Sequence, residues 1–100
     1  MQADDIDDTV KRIAGHRGVL GVIIAARDGM PIKTTMDNTS TVLYVGTAIA
    51  LFERSQSLVR DVDPSNALQF MRIRTAKYEL MVSVEEEYIV VAVQNTKFTE

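Results

Sequence analysis

A single long helical stretch, Thr39 to Val62, constrains the fold more than any other part of the sequence. It is the only segment long enough to span a small domain as a helix. The side chain of Asn38 can cap its first turn, and Asp37 places negative charge near the positive end of the helix dipole. Because Pro64 cannot continue a helix and favours an extended residue before it, the pattern predicts a helix end at this point.

Two apolar rows run along this predicted helix, about 110° apart at about 100° per residue. Packing on one sheet face requires a single row, so two interpretations stay open. Either the helix lies deep in its own core, or one row packs on the sheet while the other meets a second subunit, which is the interpretation we favour. The rows are Val42, Val45, Ile49, Phe52 and Val59, and Tyr44, Ala48, Leu51, Leu58 and Val62.

The rest of the chain is predicted as a short helix, Asp4–Ala14, and five strands. Two of the strands are apolar on both alternating faces, which is typical of central strands covered on both sides. A D-G turn precedes the second strand, and the proline in that strand favours an edge position. The predicted strands are Val19–Ala26, Met30–Met36, Leu68–Thr75, Tyr78–Val84 and Tyr88–Val93, followed by a polar, frayed tail, Asn95–Glu100.

The simplest sheet places the two doubly apolar strands, the first and the fifth, side by side. The sequence therefore predicts one five-stranded antiparallel sheet of order 2-1-5-4-3, in an α/β protein of the α+β sandwich type with topology α-β-β-α-β-β-β. A centre buried on both faces requires a helical layer on each. We expect the short helix on one face and the long helix on the other.

The third predicted strand, Leu68–Thr75, is left at a free edge that is too apolar for a monomer. Pairing with its twin across a two-fold axis would join two sheets into one, and the spare row of the long helix could lie against the same axis. We therefore predict a homodimer. Its predicted interface contains Tyr44, Ala48, Leu51, Leu58, Leu68, Phe70, Met71, Arg72, Ile73 and Arg74.

Composition limits the classes of function. One hundred residues with 46% hydrophobic and 25% charged side chains indicate one soluble globular domain over residues 1–100. We expect no membrane span, no signal peptide, and, at net charge −3, no nucleic-acid surface. The chain lacks cysteine and a Gly-rich phosphate loop, and its single histidine, His16, lies between loop glycines. We predict no catalytic residue, cofactor or metal, and hence no enzyme.

Four segments together resemble the roadblock family of dynein light chains, in the wider roadblock/longin-like superfamily. The resemblance extends from Asp7 to Asn95 and is specific to the eukaryotic dynein branch. The segments are G-V-x-G-V-I-I at Gly18–Ile24, D-G-M-P-I-K-T-T-M-D-N at Asp28–Asn38, V-R-D-V-D-P at Val59–Pro64 and L-x-F-M-R-I-R-T at Leu68–Thr75.

This resemblance implies a non-catalytic homodimer with a continuous ten-stranded sheet, joined at the strand matching Leu68–Thr75. It implies binding to dynein intermediate-chain segments at the cargo-binding or docking base of the microtubule motor. The expected location is the cytoplasm and its microtubule cytoskeleton, or a cilium or flagellar axoneme. We expect the partner on exposed parts of the long-helix layer. The alternative is a roadblock-type regulatory module for a small GTPase.

The edge strand supplies a first prediction. Replacing Phe70 or Ile73 with Lys should weaken dimerisation or folding, because each change puts a charge where truncation alone costs about 2–5 kcal/mol. Arg72→Ala should be milder if its guanidinium is solvated. Sedimentation and urea unfolding of the three variants compare these effects. A more damaging Arg72→Ala would indicate a paired guanidinium.

Overall fold

The computed structural model describes residues 3–98, and it contains two α-helices and one five-stranded antiparallel sheet. The sheet order is β2-β1-β5-β4-β3, as predicted. The elements are α1 (Ala3–Ala14), β1 (Val19–Ala26), β2 (Pro31–Thr34), α2 (Asn38–Val62), β3 (Phe70–Arg74), β4 (Tyr78–Val84) and β5 (Tyr88–Asn95), followed by a 3-10 turn, Thr96–Phe98.

The two helices cover opposite faces of the sheet. On one face Val10 of α1 packs with Val22 and Ile24 of β1. On the other face Val45 and Ala48 of α2 pack in a larger cluster with residues of β1, β4 and β5. Burial of β1 and β5 on both faces confirms the prediction that these strands are central.

The predicted ends of several elements were wrong. Asp37, rather than Asn38, caps α2: its Oδ1 accepts a hydrogen bond of 2.7 Å from the backbone N–H of Ser40, and this bond lowers the pKa of Asp37. The extended backbone of Asp37 allows this geometry. Asp37 and Asn38 are both good capping residues, so the sequence alone does not show which of the two is the cap. The prediction of the other helix end was correct, with Asp63 as the C-cap.

The ends of several strands also differ from the predicted ones. β2 is four residues long, and β3 begins at Phe70 instead of Leu68, whose backbone N–H donates to Gln56 Oε1 of α2 at 2.6 Å. β5 extends to Asn95, and a 3-10 turn replaces the start of the predicted frayed tail. The last two residues of that tail lie outside the described residues. Side-chain hydrogen bonds of this kind leave no periodic signal in a sequence.

The core-facing side of α2 lies between the two predicted apolar rows. Val45 and Phe52 come from the first row, and Ala48 comes from the second; Thr41 joins them. The second row, apart from Ala48, therefore faces away from the sheet, with Tyr44 half-buried and Leu51, Leu58 and Val62 exposed. None of the described helices is both long and apolar enough to cross a membrane.

Gly21 allows a close approach between β1 and Met36 in the segment before α2. A Cβ at this position would lie 2.4 Å from Cγ and Sδ of Met36, which packs against the α2-side core. Any larger residue would therefore displace the methionine side chain. The sequence resemblance includes this glycine without revealing its contact.

Gly21→Val should lower the free energy of unfolding by about 1–3 kcal/mol, because the added branches overfill this contact. Met36→Ala in the same chain should recover part of the loss, measured by urea unfolding of both single variants and the double variant. Gly46→Ala is the control, since no atom lies within 4 Å of its Cβ position. Independent effects of the two changes would contradict the contact.

Candidate subunit and partner interfaces

The outward face of α2 presents a line of apolar side chains. Leu43 is 64% exposed, Leu58 66% and Val62 88%, and Leu51 is 38% exposed. Scattered exposed leucines are ordinary, but a contiguous line along one helix indicates an interaction surface. Three residues of the second predicted row, Leu51, Leu58 and Val62, therefore form an exposed apolar face of α2 together with Leu43.

This line continues into a groove between α2 and the neighbouring strands. The groove has a volume of about 530 Å³, and Tyr44 and Tyr78 contribute to its walls. We call it the helix groove. Its lining residues are Ser40, Leu43, Tyr44, Thr47, Leu51, Ile73, Thr75, Tyr78 and Leu80.

Tyr44 and Tyr78 fix the wall of the helix groove. Their rings meet edge to face, with centroids 6.0 Å apart and planes at 71°. Burial raises the pKa of Tyr44 to about 12, with a further contribution from its hydrogen bond with Tyr78. The Tyr44 hydroxyl is therefore neutral at physiological pH, and its ring and hydroxyl make this wall amphipathic.

The helix groove ends at β3, which pairs with β4 alone among the described strands. Its other edge has backbone donors and acceptors available for a further strand. Ile73 lies on the groove side of this edge strand, and Met71 packs on the same side. The free strand edge and the apolar helix face are thus continuous.

The predicted interface residues separate into groups. Tyr44, Leu51 and Ile73 line the helix groove, and Leu58 lies farther along the exposed face. Ala48 is fully buried in the chain's own core, so its side chain is not available to a second subunit. Leu68 precedes β3 as a half-buried residue, held by the bond to Gln56.

Phe70, Arg72 and Arg74 lie on the opposite sheet face from Met71 and Ile73, as strand alternation predicts. Arg72 and Arg74 both donate from Nε to the carboxylate of Glu79, Arg72 to Oε1 and Arg74 to Oε2 at 3.0 Å. Glu79 is 1% exposed, while each arginine side chain is about half exposed. Two guanidiniums thus cover one buried carboxylate.

Sequence reasoning missed this arginine–glutamate clamp. The available signal was the register: Arg74 and Glu79 are direct cross-strand neighbours, and Arg72 lies one diagonal step away. Hydrogen bonding from Arg72, followed by that from Arg74, holds the pKa of Glu79 below its ordinary value of 4.5.

A second groove lies on the α1 side of the sheet. α1 packs over β1 and leaves much of β4, β5 and β3 uncovered on this face. Phe70, at 52% exposure, forms one border of this outer groove, whose volume is about 330 Å³. Its lining residues are Ile13, His16, Val19, Phe70, Met81, Ser83, Val90, Ala92 and Gln94.

The polar groups of the described chain form no metal-binding cluster of three or more His, Asp or Glu side chains. His16 is exposed in the loop after α1 and borders the outer groove. Both grooves are lined mainly by apolar side chains with hydroxyl, imidazole or amide groups at their borders. Such surfaces suit binding to another polypeptide.

The Roadblock/LC7 domain model matches residues 5–95. The chain is a member of the Roadblock/LC7 family. The matched span contains all but the first two residues of α1, the whole sheet and α2, so the family assignment covers both grooves. It confirms the resemblance drawn from the four sequence segments at the level of the domain family.

Solved structures agree with this roadblock fold. A Roadblock/LC7 domain from Streptomyces avermitilis is 13% identical, with a TM-score of 0.75 and coverage of 89% of this chain and 73% of the other. MglB of Myxococcus xanthus is 12% identical, with a TM-score of 0.79 and coverage of 99% and 82%. An MglB with a tetrameric arrangement is 15% identical, with a TM-score of 0.72 and coverage of 97% and 76%.

The clamp predicts a pH dependence of this roadblock domain. A carboxyl with a lowered folded-state pKa contributes stability that is complete above its unfolded pKa, near 4.5, and is lost as the pH falls toward the folded value. Glu79→Gln should therefore destabilise the domain at neutral pH, and its deficit relative to the unmodified chain should shrink in acid.

Urea unfolding at a series of pH values measures this deficit, with the exposed Glu87→Gln as the control. Arg72→Ala should also destabilise the domain, because it leaves one guanidinium on a buried carboxylate. The sequence predicts a milder effect of Arg72→Ala if the guanidinium is solvated, and the contact with Glu79 replaces that expectation. A Glu79→Gln deficit that stays constant into acid would contradict the clamp.

Proposed function

We propose that this Roadblock/LC7 domain is a non-catalytic homodimer that binds dynein intermediate-chain segments and helps to assemble the cargo-binding or docking base of the motor. The observation that carries the proposal is the continuity of the exposed α2 face with the free edge of β3. A single two-fold symmetric contact between two subunits would cover both the exposed α2 face and the free β3 edge. Strand pairing would satisfy the edge, and facing helices would bury Leu51 and Leu58.

The dynein assignment comes from the four sequence segments, within a resemblance that extends from Asp7 to Asn95. It agrees with the Roadblock/LC7 family assignment, but it specifies one branch within that family. In this proposal the dimer presents two equivalent sites, so two intermediate-chain segments are held together. The second contact then benefits from a raised effective concentration without any new chemistry. The proposed location is the cytoplasm with its microtubules, or an axoneme.

A small-GTPase regulatory module is the second candidate. Bacterial Roadblock/LC7 proteins, MglB among them, share the fold of this chain, and this observation supports a candidate drawn from the wider superfamily. At 12–15% identity these structures carry the fold alone. A pull-down with dynein intermediate-chain fragment in one arm and nucleotide-loaded small GTPase in the other separates the candidates.

The unmodified chain should sediment as a dimer at micromolar concentration and bind the intermediate-chain fragment without hydrolysing nucleotide or ester. A linked pair of segments should bind on the order of 10²–10⁴-fold more tightly than one, if the linker spans both sites. Leu51→Glu and Leu58→Glu should abolish dimerisation and this enhancement together. Analytical ultracentrifugation and fluorescence anisotropy supply the two measurements.

Ile32→Glu is the matched control, because Ile32 is an exposed apolar residue on β2, at the other edge of the sheet. It should leave both dimer and binding intact. A clean monomer of the unmodified chain would overturn the proposed dimer with its two partner sites. Capture of the GTPase without the intermediate chain would replace the dynein proposal with the second candidate.

A further inference from the structure

A third cavity lies under the C-terminal half of α2, where the helix crosses the end of β4 and the start of β5 beside the β1–β2 turn. We call it the flank pocket. Its volume is about 330 Å³, and its apolar floor consists of Ala48, Phe52, Val82, Val84 and Ile89. All of these side chains except that of Val84 are buried, so the floor is a preformed part of the core.

The flank pocket lies on the side of α2 away from the proposed subunit contact. Glu53 and Arg60 line the pocket, and each comes two residues after an exposed leucine, Leu51 or Leu58. Two residues rotate an α-helix by about 200°, so the pocket residues and the leucines point in nearly opposite directions. The pocket therefore stays open when two subunits meet through the leucines. The sheet itself separates it from the outer groove.

The β1–β2 turn forms one side of the flank pocket. A Cβ at Gly29 of this turn would lie 3.4 Å from Cδ1 of Ile49, so the turn contacts α2. Arg27 in the same turn donates from Nη1 to the carbonyl oxygens of Glu85, at 2.8 Å, and Glu86, at 3.3 Å. These bonds hold the guanidinium at the rim, and its Nε and Nη2 donate to no group in the described part of the chain.

The rim of the flank pocket presents hydrogen-bond donors. Arg60, in the last turn of α2, makes no ion pair with any residue that the structure describes. Gln56 Oε1 already accepts from the N–H of Leu68 at 2.6 Å, so the side-chain Nε2 is the part of Gln56 left for a ligand. Together with Arg27, these groups suit a ligand whose polar end only accepts hydrogen bonds.

The charge of the rim favours an anion. Two guanidiniums, those of Arg27 and Arg60, stand against the one carboxylate in the lining, that of Glu53. The glutamates of the β4–β5 loop contact Arg27 through backbone carbonyls, and their carboxylates do not line the pocket. A carboxylate accepts paired hydrogen bonds from guanidinium groups, so it is the anion that this rim and the apolar floor fit best.

We propose that the flank pocket binds the C-terminal residue of a partner polypeptide, with an apolar side chain on the floor and the terminal carboxylate at Arg27 and Arg60. At about 330 Å³ the cavity is at the small end of ligand pockets, so the apolar group and the carboxylate must lie close together. A C-terminal residue carries both on one Cα, and its chain leaves across the exposed rim.

Glu53 adds selectivity to this site. Its exposed carboxylate would repel a second acidic group beside the bound terminus, so the preceding residue of the partner is neutral or basic. The site is additional to the proposed dimer and its intermediate-chain binding, and it does not depend on either.

NMR titration of the isotope-labelled full chain with the peptide acetyl-Gly-Lys-Phe tests the flank pocket. The peptide should shift the amide signals of Phe52, Val82 and Ile89, which lie at the floor. The same peptide ending in a carboxamide should bind about tenfold or more weakly, because the charge-assisted hydrogen bonds of the carboxylate are lost. Hydrocinnamate, the free acid with the same aromatic group, should also bind more weakly than the peptide.

Variants of the rim use the same titration. Arg60→Gln should lower the affinity for the acid peptide by about tenfold and leave that for the carboxamide unchanged, because it removes one guanidinium. Glu53→Gln should raise the affinity for the acid peptide, since it removes a like charge. Arg54→Gln is the matched control, an exposed arginine of α2 outside the pocket. Circular dichroism and sedimentation verify the fold and subunit state of each variant.

The outcomes separate the parts of the proposal. Equal affinities for the acid and carboxamide peptides overturn carboxylate recognition. An acid preference that persists in the folded double variant Arg27→Gln with Arg60→Gln overturns the pocket as the site. Hydrocinnamate that binds as tightly as the peptide overturns the polypeptide as the source of the ligand. The proposed function stands apart from all three results, because the pull-down with the intermediate-chain fragment tests it separately.

Discussion

Burial of two adjacent strands on both faces is the constraint on which the rest of this domain depends. β1 and β5 pair from Val19 to Ala26 and bury side chains in two separate clusters, one under each helix. Neither strand could remain in water with one layer removed, because each would expose a row of aliphatic side chains. The two helices and the position of the remaining strands follow from this requirement.

The two helical layers are unequal in length, and each leaves a different apolar surface exposed. α2 has 25 residues, and its apolar side chains occupy more of the helix circumference than one sheet face can bury, so one of its sides remains apolar and exposed. α1 has 12 residues and covers less than the whole sheet face, so an open strip remains beside it. On the α2 side the exposed apolar side chains belong to the helix, and beside α1 they belong to the sheet.

Sequence periodicity was sufficient for the elements, the sheet order and the placement of the helices, because each follows from which side chains must avoid water. It was insufficient for Ala48, since a small residue fits equally well in a core and between two helices. It also failed for Glu79, whose burial depends on two arginines from another strand. Both grooves depend on how far each helix extends over the sheet, and periodicity within one segment contains no such information.

The pairing of β1 with β5 also has a consequence for the order of assembly. These strands are the first and last of the sheet along the chain, and Val19 pairs with Gln94. During synthesis β1 therefore emerges long before its central partner exists, and the β1–β2 hairpin must wait with an open inner edge. Because β1 and β5 are far apart in the sequence, their pairing is a slow, late step that completes the sheet. In the proposed dimer, subunits would then meet as finished domains, because the edge of β3 is positioned only after β5 has joined β4 to β1.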